Sequence, residues 1–72
     1  MTKKAEMIKE KIEKRLADAQ QHERIFESEG KKPIQTAEQE RKAARSMIVN
    51  MYDFDLISLS DCQCLVEFID SL

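Results

Sequence analysis

From Ser46 to Leu72 the chain contains no Lys or Arg, yet it carries 16 apolar, aromatic or Cys side chains. The whole stretch from Met1 to Arg45 carries only 14 of these types. All 12 basic residues precede Ser46 and are accompanied there by nine acids, so the front half is +3. Asp53, Asp55, Asp61, Glu67 and Asp70 make the back half −5, which gives the chain its formal −2. A segment this rich in Leu, Ile, Val, Phe and Met has to be covered, because these side chains gain most from leaving water. The fold is therefore a polar arm organised around an apolar, acidic C-terminal stretch.

Seventy-two residues form one domain at most. A chain of this length buries only about 60% of its unfolded surface, so its core is marginal without a staple, a metal or a partner. Two Cys do not make a disulfide framework. With a single His they cannot close a four-ligand zinc site either. One Gly and one Pro leave few breakers, which favours long helices. The opening Met-Thr-Lys-Lys-Ala-Glu is not followed by an apolar run, and no segment reaches the roughly 18 apolar residues of a membrane span. With two unpaired cysteines, this start points to a reducing, cytoplasmic setting.

The pattern predicts an all-α fold: a long N-terminal helix, an antiparallel second helix and a short apolar C-terminal helix, completed by dimerisation. The first helix is expected over 2–29. Ala5, Ile8, Ile12, Ala19 and Phe26 recur at helical spacing, with Leu16 and Ile25 beside them. Gly30 stands where a left-handed C-cap belongs. Such a helix is roughly 42 Å long, more than the rest of one small chain covers. Lys3 and Lys4 oppose its dipole, so its first turns are expected to fray or to be covered by another chain. Its seam is diluted by Arg15 and His22 and does not make a strong autonomous coiled coil.

Pro33 interrupts, and Thr36 with Gln39 forms a capping box for a second helix over 36–52. Its inner face is Ala37, Ala44, Ile48 and Met51, flanked by Met47 and Tyr52. Phe54, Leu56, Ile57 and Leu59 are expected to plug the core from an ordered turn, with a short strand over 54–57 as the alternative. The third helix is expected over 60–72. Ser60 is its N-cap with Gln63 three residues on, and Ser58 with Asp61 is the second choice. Leu65, Phe68, Ile69 and Leu72 share one face, broadened by Cys62, Cys64 and Val66. A helix apolar over so much of its surface calls for cover on more than one side.

No catalytic, cofactor-binding or metal site emerges. Cys62 and Cys64 point about 200° apart on a helix, so they share neither a metal nor a disulfide, and both read as small buried residues. His22 has Asp18 one turn before it, but no Ser or Cys is placed near it as a nucleophile. The acids Asp53, Asp55 and Asp61 lack the glycine turn and spacing of a calcium loop. Lys4, Lys11 and Arg15 fall on one face of the first helix with Lys14 nearby. Because Glu6, Glu10 and Glu13 interleave and the helix nets zero, this is not a stripe for phosphates. A third helix without Lys, Arg or Asn would be repelled as a recognition helix. Met7, Met47, Met51, Phe54 and Phe68 read first as core and second as an adaptable binding groove.

The function expected is therefore a small non-catalytic helical module that binds and regulates another protein by masking, inhibiting or scaffolding it, working as a homodimer. Ile8, Ile12, Leu16, Phe26, Leu65, Phe68, Ile69 and Leu72 are the candidate interaction residues, some of which must serve the chain's own core. The alternative is a transcription or nucleic-acid-associated regulator using the basic residues of the first helix. Replacing Ile69 by Asp places an unpaired charge in this apolar face and is expected to cost several kcal/mol. Thermal unfolding followed by circular dichroism measures that loss; a wild-type melting temperature would remove the C-terminal helix as the organising core.

Overall fold

The computed structural model describes all 72 residues as three helices with no strand. Helix α1 spans Lys3–Ser28, α2 spans Ala37–Asp53 and α3 spans Leu59–Asp70. Helix α2 runs antiparallel to α1, since Glu23 meets Ala37 and Arg15 meets Glu40. Helix α3 runs back alongside α1, its start tied to Thr2 and its end returning to Arg45 of α2 through Asp70. The result is an up-down-up bundle with extents of 43 × 19 × 17 Å, elongated because α1 outruns both partners.

Each helix starts on a side-chain cap. Thr2 Oγ1 accepts from Ala5 N at 3.2 Å. Thr36 and Gln39 form the expected capping box, with both reciprocal bonds present. Helix α3 begins on Ser58, whose Oγ accepts from Asp61 N at 3.1 Å. The first-choice Ser60 instead lies within the first turn. The earlier start follows from how tightly α2 ends, because a single left-handed residue turns the chain and only a few residues remain before α3.

Two helices end on the same device. At Gly30 (φ 72°) the Gly30 N–H bonds to Glu27 O at 3.0 Å and Lys31 N–H to Phe26 O at 2.8 Å. At Asp55 (φ 58°) the Asp55 N–H bonds to Tyr52 O at 3.0 Å and Leu56 N–H to Met51 O at 2.9 Å. Both are Schellman caps. A left-handed residue suits Gly, and Asp tolerates the same conformation at some cost.

The core is small: Ala5, Ile12 and Leu16 of α1, Ala44 and Ile48 of α2, and Cys62, Leu65 and Ile69 of α3. Ile8, Met51, Ile57, Val66 and Phe68 pack around it. The alanines at positions 5 and 44 let the helix axes approach. Of the four expected plugs only Ile57 packs inward. Leu56 and Leu59 are exposed, because the left-handed turn at Asp55 carries them outside the bundle end, and Phe54, the C-cap of α2 just before that turn, is exposed as well. Cys64 is exposed while Cys62 is buried, as their 200° separation requires once one face is chosen. Leu72 lies beyond the end of α3 and is exposed, and Phe68 is half-buried under Lys9, whose Nζ stands 4.8 Å from the ring centroid.

The N-terminal turn is not frayed. Thr2 Oγ1 donates to Asp61 Oδ2 at 2.6 Å, Thr2 N–H to Asp61 Oδ1 at 3.4 Å, and Lys4 Nζ to Leu56 O at 3.1 Å. These bonds offset the unfavourable end charge that led to the expectation of fraying. It is the other end of α1, past Glu23, that runs beyond the start of α2.

The two left-handed caps give opposite expectations. Gly30→Ala has open space for its Cβ, so only the backbone resists. It is expected to destabilise by about 1 kcal/mol. Asp55→Gly relieves strain and removes an acid from a helix C-terminus, and is expected to stabilise by up to about 1 kcal/mol. Melting temperatures of the two variants, moving several degrees in opposite directions, check both.

Candidate protein-binding groove

Helix α3 covers one side of the α1–α2 hairpin and leaves the opposite seam open. On helix α1, Ile8, Lys11, Arg15, Asp18 and His22 follow one another at spacings of three and four on that side. On α2, Met51, Met47, Ala43 and Glu40 do the same in reverse order. Between them lie three separate hollows, divided where Arg15 meets Glu40 across the seam. The largest of the three, about 540 Å³, is lined by Ile8, Ile12, Met47 and Met51 with Lys11, Lys14, Arg15 and Asp18 at the rim.

The groove is graded. At the Ile8–Met51 end the floor is apolar and the rim basic. At the His22 end Arg15, Asp18, Ala19, His22, Gln35 and Glu40 border a shallow, open depression of about 310 Å³. Glu40 is the hinge between the two. Its side chain is only 11% exposed, and Arg15 Nε meets Oε1 at 3.0 Å while Gln35 Nε2 donates to Oε2. The buried carboxylate is thus held by a charge-assisted bond and a second donor, which such burial demands. His22, part of this lining, packs its ring against Phe26, with centroids 4.2 Å apart and planes tilted by 36°. No group of three or more His, Cys, Asp or Glu is arranged to hold a metal ion. No helix is long and apolar enough to cross a membrane.

Comparison with protein-family models, with curated proteins and with solved structures finds no match to this chain.

The eight candidate interaction residues separate cleanly. Ile12, Leu16, Leu65 and Ile69 are at most 5% exposed and form the chain's own core. Ile8 is half-buried and lines the groove. Phe26 stacks on His22 near the free end of α1. Phe68 lies under Lys9 on α1. Leu72 borders a different, smaller cavity of about 220 Å³ with Leu16, Ala17 and Ala37. Only Ile8 therefore lines the open seam as an accessible side chain. Periodicity finds the apolar face of a helix but does not say which part another helix will cover.

Met47 at 39% exposure and the half-buried Met51 line the hollow at the edge of the core, while Met7, also read first as core, is exposed. Gln35 and Glu40 carry no site role in the sequence analysis. Their roles depend on the antiparallel register, which sets Arg15 against Glu40 across more than 20 residues of chain. Removing the arginine tests that arrangement: Arg15→Ala leaves Glu40 with only Gln35, and a loss of about 1 kcal/mol in urea unfolding is expected. An unchanged midpoint would mean that Glu40 needs no cation.

Proposed function

We propose that this chain is a small non-catalytic helical module that binds another protein in the α1–α2 groove and regulates it by masking, inhibiting or scaffolding it. One observation carries the reading: a bundle with a small core leaves open, on one seam, a methionine-lined hollow with lysines at its rim. Met47 and Met51 can repack around a partner because the thioether side chain is unbranched and polarisable. The groove suits an amphipathic helix laid along it with anchors at spacings of three, four and seven. Lys11 and Lys14 at the rim favour a partner that carries acids beside its apolar face.

A second reading, a nucleic-acid-associated regulator, draws on the basic flank formed by Lys4, Lys11, Lys14 and Arg15. Two of these are committed within the chain, Lys4 to Leu56 O and Arg15 to Glu40. Lys11 and Lys14 alone would neutralise about two phosphates, which supports only weak, strongly salt-dependent binding.

The test is capture from nuclease-treated native lysate by the immobilised chain beside its Met47→Asp variant, whose fold is checked by circular dichroism. A stoichiometric protein held by the wild type and lost from the variant is the expected result. Equal retention by both, or a labelled duplex shifted by the purified chain at physiological salt, would overturn the reading.

A further inference from the structure

The groove and the α2–α3 turn lie at the same end of the molecule. Met51 ends the apolar part of the groove, and Phe54, the C-cap of the same helix, stands three residues beyond it and seven beyond Met47. By helical spacing it is on their side of α2. The turn is fixed there by the bond from Lys4 Nζ to Leu56 O. Phe54 is 77% exposed, an unusual place for an aromatic ring, and it is flanked by exposed Asp53 and Asp55. The groove presents the complement: an apolar hollow between Ile8, Met47 and Met51, with Lys11 and Lys14 at its rim. One copy cannot join the two, because both face outward from the same side. A two-fold axis passing between them lets each of two copies give its ring and receive the other's.

Building on the reading of the groove as a binding site, we propose that a second copy of this chain covers it. Phe54 of each copy enters the hollow between Ile8, Met47 and Met51 of the other, and Asp53 and Asp55 meet Lys11 and Lys14 across the rim. The dimer is then the closed form of the module, and a foreign helix competes with Phe54 for the same hollow.

Sedimentation velocity on the purified chain over a concentration series tests this. A monomer–dimer equilibrium is expected, weakened about 100-fold or more by Phe54→Ser, since the axis counts each lost aromatic anchor twice. Helicity and melting temperature of the dilute monomer stay unchanged, because the ring is exposed there. Lys11→Glu with Lys14→Glu also weakens the dimer, and adding Asp53→Lys with Asp55→Lys to the same chain restores it. A wild type that remains monomeric up to its solubility limit, a dimer indifferent to Phe54→Ser, or a charge swap that fails to restore association overturns the proposal. If the dimer fails while Met47→Asp still loses its captured protein, the binding reading survives without self-association. If Phe54→Ser breaks the dimer while Met47→Asp keeps the captured protein, the dimer stands and the foreign partner binds elsewhere.

Discussion

The carboxylate of Asp61 holds the first and third helices in alignment. It is 5% exposed and lies in the first turn of α3, where the backbone N–H groups carry partial positive charge. From there it accepts the hydroxyl and the backbone N–H of Thr2, the N-cap of α1. One buried acid thus sits at the positive ends of two helices that run side by side in the same direction. Parallel neighbours place like dipole ends together, and an anion shared between their N-termini offsets that. The Thr2 side chain completes the chain of bonds by accepting from Ala5 N–H, and Ala5 is itself fully buried.

Carboxylates do comparable work elsewhere. Glu23 of α1 accepts from Ala37 N–H at 3.1 Å, so the start of α2 is fixed to the flank of α1. Glu40 joins α2 to Arg15 on α1 and to Gln35 in the connection. Arg45 and Asp70 link α2 to α3 at 3.3 Å, in an exposed setting where such a pair contributes little. With only eight buried apolar residues, hydrophobic burial alone leaves the helices free to slide. The polar ties, being directional, settle their offsets.

The open seam follows from the count of helices. A two-helix hairpin has two long faces, and α3 is a single short helix that covers one. The other keeps Ile8, Met47 and Met51 partly in water, next to a turn that holds Phe54 wholly outside. Here the charges of the two halves, basic on the α1 rim and acidic on the α2–α3 turn, are opposite and adjacent, and the proposed self-association rests on that adjacency.

By itself, the sequence determined the all-helical class, the three segments, the Thr36–Gln39 capping box, the Gly30 cap and the inner positions Ala44, Ile48, Leu65 and Ile69. These are local matters: periodicity, caps and breakers act within a turn or two of chain. An aromatic set between two acids, as in Asp53-Phe54-Asp55, is also a local sign of an exposed turn, against which the apolar content of the segment argues for burial. The tertiary structure alone decided the rest. It chose Ser58 over Ser60, buried Asp61 and Glu40, turned Phe54, Leu56 and Leu59 outward, and tied down a helix end whose own charges favour fraying. Each of these depends on which side of one helix another comes to lie against. That choice is made by side chains many residues apart, meeting only once the bundle closes.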